Sequence, residues 1–378
     1  MIFQLGYVGT QGHHLLASHD LDAGNAGTCL ALHAIAVANP NNLLTASPTN
    51  PLNPGVPTDC SNFGSDSSYF VQPGTVLPAN LPLPYNAGTG GRNIAAGTVV
   101  GPNGITLVGL RPYSSPLCQP LTGTNCPADG VPVFSNIFAE STIANSNYNA
   151  LQVSLERHFS KGLQFQMSYT FSKSIDDGSS FENQLNPVNF NVSRGLSLYD
   201  ARHRFVFSPY WELPVPKHDG FTGKLVNGWA VSGIVTVQSG FPIRLFDAND
   251  AELASSFFFE PAGEPQITGK VQFLNPKTNG NLLFNTNNFS DAAPGTYGNG
   301  PHALCCGPGI SQTDISFQKA TPITERLRTE LRADIFNIWN HTQFENPDGN
   351  FSNLGSTFGV VTRARDPRLI QFGLKFFF

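Results

Sequence analysis

The chain has 378 residues, of which 12% are charged, about half the share of an ordinary soluble domain, while glycine (37) and proline (29) are abundant. A net charge of −5 without a basic cluster argues against a nucleic-acid partner. No apolar run approaches the roughly 18 residues of a membrane-spanning helix, and thirty phenylalanines without matching aliphatic bulk suit lipid-facing strands better than a helical bundle.

In chain order, about eight segments alternate apolar and polar residues with the period of a strand. The first is Phe3–His14. The segment 16–141 follows, rich in Pro, Asn, Gly and Thr and without helical period, and is expected to be a long irregular surface loop. Strand two, Tyr148–Phe159, sets Leu151, Val153, Leu155 and Phe159 against Gln152, Ser154, Glu156 and His158. The clearest strand is Leu163–Ser174, where Leu163, Phe165, Met167, Tyr169 and Phe171 share one face and Gln164, Gln166, Ser168, Thr170 and Ser172 the other. That is the apolar-out, polar-in code of a membrane barrel with a wet interior, although one solvated sheet gives the same pattern.

Arg202–Leu213 repeats the code with Phe205, Phe207, Trp211 and Leu213, and Pro209 on that face predicts a bulge or a weak pairing. Trp229–Ser239, Thr313–Thr321, Leu327–Asn337 and Gly359–Phe378 complete the set. In Leu327–Asn337 the charges Arg328, Glu330, Arg332 and Asp334 take every second position. Such a row cannot face lipid, so it lines an interior. Cross-strand salt bridges are the simpler role for it; docking of a lumen-plugging domain, or a polar path for a solute, is the functional one.

The connections alternate in length. Ser160-Lys161-Gly162 and Pro322–Arg326 are short, Pro214–Asn227 is intermediate, and the stretches after Ser174, Ser239 and Asn337 are longer. Short turns at one end and long loops at the other describe periplasmic turns and extracellular loops. The fold class expected is therefore all-β: an antiparallel transmembrane β-barrel segment of about eight strands with long irregular extracellular loops, in the outer membrane of a diderm bacterium.

All six cysteines fall in predicted loops. Cys118 and Cys126 would close a short loop and Cys29 and Cys60 a longer one, while Cys305 and Cys306 are adjacent; sequence does not fix the pairing. An even count confined to loops suits an oxidising compartment, and the spacings lack the paired close ligands of a zinc module. Other chemistry is weak. His13 and His14, as strand neighbours, point to opposite faces. Gly88-Thr89-Gly90-Gly91 has no strand-then-helix context for a phosphate cradle. Asp176-Asp177-Gly178 matches only a fragment of a calcium loop. No cofactor and no enzymatic activity are expected, because no serine, histidine and acid set has a nucleophile's context.

Two resemblances add to this. Gly373-x-x-Phe376-x-Phe378 is similar to the carboxy-terminal signal read by the bacterial barrel-assembly machinery, with Phe372 where a polar residue is usual. Tyr148–Arg157, Gly162-Leu163-Gln164, Tyr169–Asp177, Asp200–Phe205, Phe336–His341 and Asp366–Phe372, preceded by Gly6–Leu15, resemble TonB-dependent receptors of the Oar-like, carboxypeptidase-regulatory-domain type. The resemblance implies a barrel of about 22 strands, of which this chain would be the carboxy-terminal third. It also implies a plug domain and an energising inner-membrane complex as partners, besides membrane lipid, and uptake of an oligosaccharide, peptide or metal chelate. A surface-binding or adhesive barrel without transport is the alternative. Met1-Ile2-Phe3-Gln4 leads straight into a strand, so the whole of 1–378 is expected to be partial barrel, without signal peptide or plug.

Overall fold

The computed structural model describes residues 1–21, 137–180, 185–186, 189–247, 263–292, 298–324 and 326–378, with short pieces of the intervening segment at 34–35, 43–46, 68–76, 97, 99–102 and 105–108. Eight long strands form one antiparallel meander: β1 Ile2–Asp20, β2 Phe138–Ser160, β3 Leu163–Asp176, β4 His203–Glu212, β5 Trp229–Gln238, β6 Ile310–Pro322, β7 Arg328–Phe336 and β8 Leu369–Phe377. Each pairs with the next, and the two-residue strand Gly195–Leu196 joins the end of β3. β1 and β8 do not pair with each other, so the sheet is open at both edges.

Register places the alternating residues on common faces, because residues directly opposite each other in a ladder share a face. Phe3 opposes Leu155, which opposes Met167, which opposes Phe207, which opposes Val235. One apolar row thus crosses five strands. On the other face Ser154, Ser168 and Val206 follow one another, then Thr236 and Gln312. Only one residue in that second row is apolar.

Three local features set the details. Lys161 (φ 52°) and Gly162 (φ 79°) both take positive φ, the two-residue hairpin geometry whose twist matches the flanking strands. A register shift between Arg157 and Ser160 turns Phe159 out of the apolar row, and its ring lies 6.3 Å from Tyr210, a residue of the opposite face. Pro209 keeps its place opposite Phe165, but the β4–β5 ladder is interrupted between the Phe207–Val235 and Tyr210–Ser232 pairs without change of register. The missing amide weakens the pairing and makes no bulge.

Three boundaries differ from the sequence reading by more than a few residues. β1 continues to Asp20 and β2 starts at Phe138, so both ends of 16–141 are ladder and not loop. Side chains hold that extension: Asp20 accepts from the Ile137 amide (3.0 Å), and a His19 ring nitrogen meets the Ser141 hydroxyl (2.9 Å). Within the same segment Leu43–Ala46, Ser68–Val71 and Ile105–Val108 form a three-stranded sheet, so the loop is not wholly irregular. β8 begins at Leu369 and not Gly359, because Phe358 and Val361 are buried elsewhere.

They are buried in a cap. The described parts of the connections 239–309 and 337–368 pack together around Ile243, Leu245, Leu283, Phe284, Phe289, Phe351, Phe358 and Val361. Phe284 and Phe358 meet edge to face with centroids 5.4 Å apart, and Phe289 and Phe351 complete the stack on Phe358 at 5.1 and 5.4 Å. Backbone hydrogen bonds join the two connections, Leu283 to Gly359 (2.9 Å) and Phe351 to Phe246 (2.8 Å). Gly359 (φ 77°) is tightly enclosed, since a β-carbon there would stand 3.2 Å from the Phe284 ring. The short Gly220–Val226 helix lies at the opposite, short-turn end.

Candidate functional site

The polar face of β3 to β7 encloses a recess of about 310 Å³ whose lining runs from Gln164 through Tyr210, Ser232 and Asp314 to Arg332. The recess touches five successive strands, β3 to β7. Arg328, Glu330, Arg332 and Asp334 all stand on this polar face. Among the described residues the ion pair of this row runs along β7 and not across the wall: Arg332 Nε donates to Asp334 at 2.7 Å. Across the wall, Arg328 lies over the Phe377 ring (4.5 Å), Glu330 is opposite Lys375 and Arg332 opposite Gln318. Asp314 accepts from Gln312 (3.0 Å) and from the Asn337 amide (2.8 Å), so part of its charge is already answered.

The upper rim is a set of side-chain clips. Asn337, in the left-handed region (φ 50°) and buried, donates to the His341 carbonyl (3.0 Å) and accepts from the His341 amide (3.0 Å). Asn340, also left-handed, accepts from the Arg368 amide (3.1 Å). Asp200 accepts from the Ser174 amide (2.7 Å), and Asp177 takes the Asn145 amide (2.7 Å) and Arg194 (2.8 Å). Asp177 is therefore engaged as a strut, and among the described residues no group of three or more His, Cys, Asp or Glu converges as a metal site. Gln343 mimics a strand edge, accepting from the Ser311 amide (2.9 Å) and donating to its carbonyl (2.6 Å), which fastens the cap to β6.

Inside the cap lies a buried polar group that sequence reasoning missed. Arg244 Nη1 reaches His302 Nδ1 at 2.7 Å and the Leu245 carbonyl at 3.0 Å. A guanidinium can only donate, so Nδ1 accepts and the ring proton of neutral His302 sits on Nε2. Burial, reinforced by the Arg244 charge, pulls His302 down to about 3. Glu264, also buried, is pushed up to about 7 by burial against the pull of Arg244. The sequence signals were an isolated arginine, glutamate and histidine, well separated in the chain, with no motif to join them.

The family model for an outer membrane beta barrel domain matches residues 1–371. The chain belongs to that family. The barrel domain accordingly resides in the outer membrane, with its apolar face toward lipid. A search of curated proteins finds no match. Among solved structures, a chain of the FpvAI–pyocin S2 complex is similar over 67% of the barrel domain and 22% of its own length, with 13% identity and a TM-score of 0.27.

On β8 of the barrel domain, Phe376 shares the lipid face opposite Thr329, whereas Gly373 lies on the polar face opposite Arg332. Phe378 follows the last ladder pair and is 98% exposed. A bulge at His13 and His14, with His14 at φ 54°, breaks the strand alternation there; His13 meets the Asn145 side chain at 3.0 Å. Cys305 and Cys306 are joined to each other as a disulfide in the cap. Cys29, Cys60, Cys118, Cys126 and Gly88–Gly91 lie outside the described residues.

Proposed function

We propose that the barrel domain is the carboxy-terminal part of a TonB-dependent, Oar-like receptor that takes up a large solute such as an oligosaccharide, peptide or metal chelate. The observation that carries this reading is the open sheet with a charged, recessed polar face. An eight-stranded barrel closes around packed side chains, whereas more strands added at β1 and β8 make a wall wide enough for a plug and a solute path. The plug would dock on the row Arg328, Glu330, Arg332 and Asp334, the energising complex would act through it, and the assembly machinery would read Gly373, Phe376 and Phe378. The residue blocks similar to that receptor class support the reading, since Asp200–Phe205, Phe336–His341 and Asp366–Phe372 are where the rim clips form. No catalytic step is assigned.

The alternative, a surface-binding barrel without transport, is favoured by the cap, which holds its own aromatic core apart from the lumen. Uptake of labelled oligosaccharides, peptides and metal chelates by cells carrying the complete receptor separates the two. Transport predicts accumulation that collapses when the proton-motive force is dissipated. Binding that survives dissipation and vanishes on deletion of cap residues 263–292 would support the adhesive reading instead.

A further inference from the structure

At the short-turn end, the helix Gly220–Val226 exposes Phe221 (77%) and Leu225 (57%), which lie four residues apart and so share a helical face. The helix is not a loose excursion. Asn227 both donates to the His218 carbonyl (2.8 Å) and accepts from the His218 amide (3.3 Å), closing the loop at its base. Its end is tied to the lipid side of the wall. Trp229, on the same face as Val231, Val235 and Val237, donates from its indole to the Leu225 carbonyl (3.0 Å). Lys319, directly opposite Trp229, packs under that ring (5.5 Å) and donates to the Asn227 carbonyl. Trp211 stands beside them, opposite Val231 and half exposed.

The helix is thus tied, through the Leu225 and Asn227 carbonyls, to residues of the surface already assigned to lipid. Its surroundings are mainly basic. Lys224 belongs to the helix, and Arg157, opposite Phe165 on the lipid face, turns its guanidinium to the Ser160 carbonyl at the rim (3.2 Å), whereas Lys217 lines a recess on the polar face with Glu212 and Glu330. Asp219 is the acidic residue of the same loop, and Glu212 faces the lumen beside Tyr210. Apolar residues with a basic rim and tryptophans at the same height are what a segment lying in a membrane interface requires.

We propose that Gly220–Val226 is an interfacial anchor that seats Phe221 and Leu225 at the headgroup–acyl boundary of the periplasmic leaflet, against anionic phospholipid. The proposal rests on the barrel's membrane placement and is independent of any transport role. An anchor at this point would fix the vertical position of β4 and β5, and with it the height of the recess.

The test uses the full chain refolded into phosphatidylethanolamine–phosphatidylglycerol vesicles, with folding scored by heat-modifiable mobility. Phe221→Trp is placed in a background of Trp211→Phe and Trp339→Phe, with Trp229 kept for its bond to Leu225. The added emission should be blue-shifted, and should lose more intensity to doxyl groups near the headgroups than to doxyl groups deep in the chains. Water-like emission without quenching would mean that the helix stands in the periplasm, and blue-shifted emission quenched by neither label would mean that protein covers it; either result overturns the anchor. Leu225→Trp, on the same helical face, gives an independent reading if the first variant folds poorly. Lys224→Glu should lower the preference for phosphatidylglycerol over phosphatidylcholine vesicles, and an unchanged preference would remove anionic lipid from the proposal.

Discussion

In the wall, Phe171, Phe372 and Phe376 point away from the polar recess and remain exposed, whereas in the cap Phe284, Phe289, Phe351 and Phe358 are buried against one another. The same side chain serves two solvents. Wall strands need no apolar interior, because lipid covers their outer face and the hydrogen-bonded ladder supplies cohesion. The cap stands in water and must bury its own rings. A fault in the cap should therefore cost packing energy, and a fault in the wall should depend on which face it strikes.

The largest effect should come from Phe284→Ala. This ring is fully buried and touches Phe273, Phe289 and Phe358. Its loss should destabilise the cap by about 3–5 kcal/mol, transfer and cavity together. Limited proteolysis should then cut 263–292 and 337–368 while heat-modifiable mobility of the wall persists. Loss of the wall with the cap would show that the two are one cooperative unit and break the comparison.

Next comes Met167→Lys, which places a charge between Leu155 and Phe207 in the middle of the apolar row. It should cost about 2–4 kcal/mol in a membrane-refolding titration if the site lies at the bilayer midplane. Gln166→Lys, one residue away, falls between Glu156 and Ser208 on the wet face and should cost far less. Equal damage from both would mean that the faces are misassigned.

The wall was legible because a strand's period is local: Leu163 to Phe171 declare their face without reference to anything else in the chain. Legibility failed where one inserted residue reset the count, at Phe159 and at His14. It failed altogether in the cap, whose core joins Ile243 and Phe284 to Phe358 across long separations and shows no period. There the phenylalanines read as lipid-facing bulk, and Gly359–Arg368 read as strand. The row Arg328 to Asp334 was legible as a polar face, but its ion pairing was not, because alternation does not tell along-strand from cross-strand partners.

The cap should also answer to pH, and the wall much less. Below its ordinary value of 6.5, unfolded His302 takes a proton that the folded residue refuses down to about 3, so stability falls as pH drops. Glu264 acts oppositely: folded, it keeps its proton up to about 7 against an ordinary 4.5, so stability falls as pH rises through that interval. Between 4.5 and 6.5 the two slopes nearly cancel. Below 4.5 the histidine slope remains, at about 1.4 kcal/mol per pH unit or about 2 kcal/mol by pH 3, and Asp348, held below its ordinary 3.8 by hydrogen bonds from Thr357, Asn350 and Asn353 that outweigh its burial, adds to the same limb at its acid end. Hydrogen exchange of cap amides should show a plateau with an acid limb. His302→Gln should flatten the limb down to the range where Asp348 titrates, and Glu264→Gln should turn the plateau into a slope rising with pH. Neither change in the variants would place the pH response elsewhere.

The smallest stability effect, and the one that bears most on function, should come from Arg332→Gln. Its ion pair with Asp334 is nearly half exposed on the arginine side, a setting in which such pairs contribute less than about 1 kcal/mol. Glutamine keeps a hydrogen-bonding group beside Gln318 and opposite Gly373 while removing the charge that faces the recess. If the row holds the wall together, unfolding should shift by more than that small amount and uptake per folded barrel should stay constant. If it meets a plug or a solute, unfolding should stay near the parent value while energised uptake falls severalfold in the complete receptor. A plug- or solute-facing row requires the second result, because the lipid-facing rows and the ladder already account for the wall's cohesion without this charge.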